Sequence, residues 1–260
     1  MRLTLNTIPS PRQNWPLHIN SCGQRNPSAG SGELKENQID LWSGYLDLPD
    51  VESTGLLHFL SAEENLRADS FRFDLHRKRF IAARGQLRKI LSGYTEGDPR
   101  SIKFEVNPWG KPSLSSAPLE FNLSHSEDRF LLAISRMTVG VDLERVRGFG
   151  DMLGVARNVF SPIELQEWER LSEGDQIPIF YKIWTRKEAL LKAIGCGITE
   201  HCPNVTVLFA NGAPIVPQTI STSPWRVFDL QFEGQFAAAI ATPSSSPDLN
   251  WCMLDNSVGH

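Results

Sequence analysis

The sequence lacks the features of a membrane-spanning or secreted protein. It has no window of 18 uncharged apolar residues, and its N-terminus has no basic segment followed by an apolar one, as a signal peptide would. The four cysteines, Cys22, Cys196, Cys202 and Cys252, are few and irregularly spaced in a chain of 260 residues. This pattern predicts reduced thiols rather than a disulfide framework. Together these absences predict a cytoplasmic protein without a membrane segment.

Motifs of several large enzyme classes are also missing. The chain has no GxxxxGK[ST] loop, no GxGxxG turn and no GxSxG elbow, so nothing supports a nucleoside triphosphatase, a Rossmann dehydrogenase or an α/β hydrolase. The formal net charge of −4 argues against general binding of nucleic acid. The segment Cys196–Cys202 contains a histidine and a glutamate, but no second CxxC or HxxxH supports a zinc site. Acidic residues remain as the candidates for chemistry.

The composition divides the chain into a polar N-terminal segment and two similar halves. Residues 1–37 are rich in Pro, Ser, Asn and Gly, which predicts a flexible tail. Residues 38–138 and 139–254 then repeat one order of patterns at an offset of about 100 residues. Each half has a helix capped by serine, a longer helix, and strands separated by a turn. The repeat predicts an α+β protein of two pseudo-symmetric halves.

The stretch VGVDLERVR places two carboxylates, Asp142 and Glu144, one residue apart in an apolar run. In a strand, alternation sends Val139, Val141 and Leu143 to one face and both acids to the other. The ordinary interpretation is a half-exposed strand with a solvated outer face. The alternative is a pair of acids that face a cation.

A third acid lies in the segment Ile179–Gly197, whose pattern predicts a helix ended by glycine. Trp184, Glu188 and Leu191 share one face of this helix, which places a carboxylate in an apolar stripe. Lys192 lies four residues after Glu188, and an exposed ion pair at that spacing is worth only a few tenths of a kcal/mol. A carboxylate among apolar neighbours instead needs a strong partner.

One divalent cation would satisfy all three acids. Ligation by carboxylate oxygens, with positions left for water and phosphate, suits Mg²⁺ or Mn²⁺ better than Zn²⁺.

Candidate anion-binding residues are scattered through the first half. Ser124 and His125 lie where a strand is expected to break into a loop, a usual place for ligand-binding groups, although a lone loop histidine commonly has no chemical role. The basic helix after Ser70 is mostly a solvated face, with room for one or two phosphate contacts. Lys111, in the turn NPWGKP, could reach the same anion.

The motifs WGKP, FNLSHS, VGVDLE and WTRKEALLKAIG, in this order, resemble those of the surfactin-type 4′-phosphopantetheinyl transferases. The resemblance runs from about Leu60 to about Ala241. It implies two pseudo-symmetric α+β halves, each a small antiparallel sheet packed on a long helix, that bind coenzyme A and Mg²⁺ in a cleft between them. Because the two halves are fused, it also implies a monomer.

The resemblance also implies roles for individual residues. Asp142, Glu144 and Glu188 would bind the metal, Glu188 would act as a base directly or through water, and Lys192 would reach the pyrophosphate. The nucleotide end of coenzyme A would contact Arg67, Arg79, Lys111, Ser124 and His125. One departure is Glu64, which stands where some members of the family have a lysine.

The implied reaction transfers the 4′-phosphopantetheine group of coenzyme A to a serine of an apo acyl, polyketide or peptidyl carrier protein and releases adenosine 3′,5′-bisphosphate. Two alternatives stay open. One is a Mg²⁺-dependent phosphohydrolase acting on coenzyme A or a related nucleotide, and the other is a non-catalytic module that binds coenzyme A or carrier proteins. The segment Arg157–Trp168 is a hypothesis for the surface that docks the carrier. Neither nucleic acid nor a membrane is expected as a partner.

Overall fold

The computed structural model describes residues 19–25, 34–95, 97–115, 117–197, 201–208 and 213–254. These ranges contain six α-helices and ten β-strands, so the predicted α+β class is confirmed. None of the helices in these ranges is long and apolar enough to cross a membrane. The chain forms two compact units, described here as an N-terminal unit of residues 18–137 with the residues from 248 onward, and a C-terminal unit of residues 138–247.

The helices and strands follow in this order. The helices are α1 (Asp50–Leu57), α2 (Ala62–Asp69), α3 (Asp74–Thr95), α4 (Met152–Val159), α5 (Pro162–Glu169) and α6 (Glu173–Ile194). The strands are β1 (Ile19–Arg25), β2 (Gln38–Tyr45), β3 (Phe104–Val106), β4 (Pro112–Leu114), β5 (Glu120–Ser126), β6 (Arg129–Ser135), β7 (Gly140–Arg145), β8 (Arg226–Leu230), β9 (Phe236–Thr242) and β10 (Asp248–Leu254).

The N-terminal unit is built on a five-stranded sheet of order β1-β10-β2-β6-β5. The strands β1, β10 and β2 run parallel, whereas β2, β6 and β5 are antiparallel. The sheet is therefore mixed, because β10 returns from the C-terminal end of the chain to lie between β1 and β2. Residues 19–25 fall in the predicted tail and residues 248–254 in the predicted second half, yet both form strands of this sheet.

The same strand corrects the expectation of reduced thiols. Cys252 of β10 is disulfide-bonded, whereas Cys196 and Cys202 are free. The expectation was wrong for Cys252 because spacing along the sequence does not reveal that the two ends of the chain pair in one sheet.

The C-terminal unit packs a three-stranded antiparallel sheet of order β7-β9-β8 against α6. Apolar residues of β9 and α6 fill the core between them, including Ala239, Ala241, Ile183 and Leu190. The helix ends at Gly195, whose φ of 78° is in the left-handed region, which confirms the predicted glycine stop. It begins at Glu173, earlier than the predicted start, so the packed face of α6 is longer than the sequence pattern indicates.

The predicted serine caps are present in both units. In α2 the backbone N–H of Ser61 donates to the side chain of Glu64 at 3.0 Å, and in α5 that of Ser161 donates to Glu164 at 2.8 Å. Each cap satisfies a backbone donor that the first helical turn leaves unpaired. The long helices that follow, α3 and α6, both have 22 residues. The sequence repeat therefore corresponds to a repeated pair of helices.

Candidate active site

The acidic strand β7 turns its carboxylates toward α6 rather than toward water. Gly140, Asp142 and Glu144 share one face by the alternation of a strand, and Gly140 faces the backbone of α6. Asp142 is only 2 % exposed, and Glu144, nearer the end of the strand, is half-buried. The solvated strand face is therefore the wrong interpretation for Asp142. A buried carboxylate requires a cationic or hydrogen-bonding partner.

That partner is a lysine of α6. Lys192 Nζ lies 2.5 Å from Asp142 Oδ1 and 3.8 Å from Glu188 Oε2. Glu188 is 8 % exposed and lies one helical turn before Lys192. The pair at positions 188 and 192 is thus part of a buried cluster and not an isolated surface ion pair. The structure brings together three of the four residues predicted for the chemistry, and Glu144 lies two positions further along the same face of β7.

Burial and the neighbouring charges in this cluster shift the pKa values of Glu188 and Lys192. Burial raises the pKa of Glu188, the negative charges of Asp142 and Glu144 raise it further, and Lys192 only partly opposes them, so that its pKa is about 7. Burial lowers the pKa of Lys192, but the three carboxylates outweigh burial and raise it above its usual value. Lys192 is therefore a permanent cation at neutral pH, and Glu188 is poised to exchange a proton.

The donor set of this cluster suits a hard divalent cation. Asp142, Glu144 and Glu188 offer only carboxylate oxygens, and a bound cation would relieve both the burial and the repulsion that raise the pKa of Glu188. In the arrangement shown, no three His, Cys, Asp or Glu side chains within the described ranges are placed to hold a metal ion. The ammonium of Lys192 lies against Asp142 instead. Metal ligation would require this lysine to move toward another anion.

Two further charged residues of α6 hold the helix in place and were missed by the sequence patterns. Lys187 is fully buried and pairs with Glu164 of α5 at 2.7 Å. Arg186 makes two hydrogen bonds to Asp229 of β8, at 2.6 and 2.8 Å. The signal for them was the charged run Arg186–Glu188 between the apolar stretches before Thr185 and after Glu188, since three consecutive charges cannot all face water there.

The N-terminal unit contains a cavity of about 670 Å³. Three of the five residues predicted to bind the nucleotide line it, namely Arg67, Arg79 and His125. Arg67 lies over the ring of Phe80, with 5.5 Å between its guanidinium carbon and the ring centroid. The cavity thus combines aromatic walls with basic side chains, which suits a flat, anionic ligand.

Arg79 is already held by acids at this cavity. It donates to both carboxylate oxygens of Asp47, at 2.6 and 2.8 Å, and lies 3.6 Å from Glu127. These partners raise the pKa of Arg79 despite its partial burial. A phosphate bound there would have to compete with Asp47.

Lys111 and Ser124 are placed differently from Arg67, Arg79 and His125. Lys111 precedes β4 and lies 3.7 Å from Glu120, and burial lowers its pKa. Ser124 is buried within β5 on the face opposite to His125, since neighbouring residues of a strand point in opposite directions. The expected break into a loop at Ser124 and His125 is wrong, because β5 continues to Ser126.

The contacts of Glu64 account for an acid at this position, where some members of the family have a lysine. It accepts hydrogen bonds from Arg88 at 2.6 Å and Arg84 at 2.8 Å, and it also caps α2. The guanidinium of Arg88 further donates to the carbonyl oxygen of Pro99. Because two buried or half-buried arginines share this acid, a lysine at position 64 would leave both without a counter-charge.

The segment proposed for carrier docking is partly excluded by burial. Phe160 is 2 % exposed and packs among Trp168 and Phe180 in the core of the C-terminal unit. Arg157 is exposed on α4. Phe160 is therefore not part of an exposed surface, and docking of a carrier on the segment Arg157–Trp168 stays a prediction.

Comparison with known proteins bears on this arrangement. The family model of the 4′-phosphopantetheinyl transferase superfamily matches residues 138–241, which include all the residues of the acidic cluster. The chain is 36% identical over 214 residues to 4′-phosphopantetheinyl transferase HetI of Nostoc sp., covering 80% of this chain and 89% of the relative. It is 30% identical over 178 residues to transferase psf-1 of Bacillus pumilus, covering 64% and 76%, respectively.

A more distant relative matches over a similar length. The chain is 24% identical over 214 residues to 4′-phosphopantetheinyl transferase Sfp of Bacillus subtilis, covering 81% of this chain and 94% of the relative. The motifs, the acidic cluster and the extent of these matches agree, and the chain belongs to the 4′-phosphopantetheinyl transferase superfamily.

Proposed function

We propose that this chain transfers the 4′-phosphopantetheine group of coenzyme A to a serine hydroxyl of a carrier protein, with the cluster of Asp142, Glu188 and Lys192 as its reaction centre. The observation that carries the proposal is geometric, because Lys192 lies 2.5 Å from Asp142 and 3.8 Å from Glu188, so that two buried carboxylates and a cation form one group. A carboxylate in such a group can accept a proton from a hydroxyl, and the lysine can bind an anion. Membership of the family supplies the group that is transferred.

The reaction forms one bond and breaks one. The serine oxygen attacks the β-phosphorus of coenzyme A, and the bond from that phosphorus to the oxygen bridging the two phosphates breaks, so that adenosine 3′,5′-bisphosphate leaves. Glu188 accepts the serine proton, directly or through a water molecule. Lys192 binds the pyrophosphate oxygens and stabilises the charge that develops on the leaving phosphate.

We assign Mg²⁺, or Mn²⁺ in its place, to the carboxylates of Asp142, Glu144 and Glu188. When bound, the ion supplies positive charge that neutralises the pyrophosphate oxygens during transfer. In the structure Lys192 lies against Asp142, so we expect the lysine to turn to the pyrophosphate when coenzyme A and the ion bind. A cation beside Glu188 would also lower its pKa, which keeps this carboxylate ionised at neutral pH.

The nucleotide end of coenzyme A is assigned to the cavity of the N-terminal unit. Arg67, Arg79 and His125 line it, and His125 is the candidate for the 3′-phosphate. Lys111 and Ser124 are carried into this proposal by the resemblance of the motifs WGKP and FNLSHS alone. A cytoplasmic location, a monomeric state and the choice among acyl, polyketide and peptidyl carriers stay predictions.

A mass measurement tests the reaction. Incubating an apo carrier protein with coenzyme A, Mg²⁺ and this protein should add one phosphopantetheine group, about 340 Da, to the carrier. The Glu188→Gln variant serves as the matched control and should add none. Breakdown of coenzyme A without a mass gain on several carriers would indicate a phosphohydrolase instead. If neither the carrier nor coenzyme A changes, the chain would be a non-catalytic binding module.

A further inference from the structure

Gly140 lies where β7 approaches the backbone of α6. A Cβ atom on this residue would overlap the carbonyl oxygen of Ala189 and the backbone nitrogen of Ala193, and would stand 2.9 Å from Ala193 Cα. All three are main-chain atoms, so no side-chain rotation could make room. Any residue with a side chain at position 140 would therefore push β7 and α6 apart.

Position 140 requires glycine because there is no space for a side chain, and not because the backbone has an unusual conformation. The glycines with positive φ in the described ranges are Gly110, Gly195 and Gly234, and Gly140 is not among them. It takes a regular place in β7, paired with Ala241 of β9. Gly140 is the first residue of β7, and a glycine in a strand often marks a place where another backbone approaches closely.

The same approach determines how the catalytic groups meet. Gly140 and Asp142 lie on one face of β7, two residues apart. On α6, Glu188 directly precedes Ala189, and Lys192 directly precedes Ala193. The 2.5 Å contact between Lys192 and Asp142 therefore depends on the strand-to-helix distance that Gly140 permits.

We infer that Gly140 is a positioning residue for the transfer reaction. Its lack of a side chain lets β7 approach α6 closely enough for Asp142 to share one cluster with Glu188 and Lys192. The inference rests on the proposed function, because it assigns Gly140 a role in placing the groups of that reaction. A displacement of about 1 Å at such a site can reduce the rate about 100-fold.

Gly140→Ala tests the inference with two readouts, Mn²⁺ binding by calorimetry and steady-state transfer. We expect Mn²⁺ affinity to fall at least about 10-fold and kcat to fall about 100-fold, with KM for the carrier within about twofold of the original. Gly174→Ala is the neutral control, since a Cβ there meets open space. Val227→Ala truncates the core of the same unit and should lower stability while leaving Mn²⁺ affinity and kcat unchanged.

A second variant covers the case in which Gly140→Ala does not fold. Ala193 is buried on α6, and its backbone forms the helix side of the same contact. Ala193→Val adds bulk there and should lower Mn²⁺ affinity and kcat in the same way. Near-normal Mn²⁺ affinity and kcat in either folded variant would overturn the inference. Loss of the folded state in both would also overturn it, since the contact would then serve folding. Absence of transfer by the unsubstituted protein would instead count against the proposed function.

Discussion

Each unit buries a glutamate on a helix, and the two carboxylates have opposite electrostatic surroundings. Burial alone would raise the pKa of Glu64 in the N-terminal unit, but Arg88 and Arg84 lower it below its usual value. Burial also raises the pKa of Glu188 in the C-terminal unit, and Asp142 raises it further, to about 7. Because burial raises the pKa of both acids, the charges of their neighbours account for the opposite directions of the two shifts.

The difference separates a structural acid from a reactive one. Glu64 is held by two arginines and a helix cap, so its charge is fixed and its role is to hold α2 and α3 together. The carboxylate of Glu188 has one distant cation, Lys192 at 3.8 Å, and a competing acid nearby. The repulsion between Glu188 and Asp142 would be relieved by a proton from the substrate or by a bound cation.

The largest expected effect is on catalysis. Glu188→Gln keeps the shape of the side chain but removes the proposed base, and Asp142→Ala removes a proposed metal ligand and the partner of Lys192. Each should lower kcat for transfer at least about 1,000-fold while the circular dichroism spectrum stays unchanged. Near-normal turnover of either variant at saturating Mg²⁺ would make the assignment of the reaction centre wrong.

The next effect is on stability, in the other unit. Glu64→Gln leaves the guanidinium of Arg88 buried without its counter-charge, so we expect the free energy of unfolding to fall by about 3 kcal/mol in a urea titration. The transfer rate of the folded protein should change far less than in Glu188→Gln. Asp47→Asn, which removes an exposed partner of Arg79, is the matched control and should cost under about 1 kcal/mol. Equal losses of unfolding free energy in Glu64→Gln and Asp47→Asn would contradict the role of Glu64 as a buried counter-charge.

The pH dependence of stability should also differ between the two glutamates. Because the folded-state pKa of Glu188 is raised, its contribution to stability is present below pH 4.5 and is lost as pH rises through about 7. Without metal, the unsubstituted protein should therefore lose about 2.5 kcal/mol more than Glu188→Gln between pH 5 and pH 8. The lowered pKa of Glu64 acts in reverse, since its contribution is present above pH 4.5 and is lost as pH falls through the folded value. Parallel pH profiles for the unsubstituted protein and Glu188→Gln would contradict this account.

The smallest expected effect is at the cavity of the N-terminal unit. His125→Ala should raise KM for coenzyme A about 10-fold, and by less for 3′-dephospho-coenzyme A, because only the former carries the phosphate assigned to His125. Steady-state kinetics with both substrates measure the difference. The same loss with each substrate would remove His125 from the 3′-phosphate.

The sequence predicted what local patterns determine. A serine cap followed by acids in the first helical turn predicted α2 and α5, and glycine predicted the end of α6. The grouping of Asp142 with Glu188 and Lys192 followed from an argument about buried charge, supported by the order of the motifs. Short-range signals of this kind depend on backbone hydrogen bonding and on periodicity, which neighbouring residues express directly.

What the sequence did not predict depends on contacts between distant residues. The strand β10 joins the sheet of the N-terminal unit, a pairing that no local pattern signals. The burial of Phe160 and the face occupied by Ser124 depend on how elements pack, and so does the pairing of Lys187 with Glu164. Residues 1–18 and 26–33, most of the predicted tail, lie outside the described residues.

We propose that the protonation of the buried Glu188 carboxylate depends on Asp142 and would respond to a bound cation. The pKa of Glu188 can be measured directly by NMR on protein with carbon-labelled glutamate side chains, assigned by comparison with Glu188→Gln. We expect a pKa of about 7 without metal and a lower pKa when Mg²⁺ is added. An ordinary pKa near 4.5 that does not respond to Mg²⁺ would contradict it.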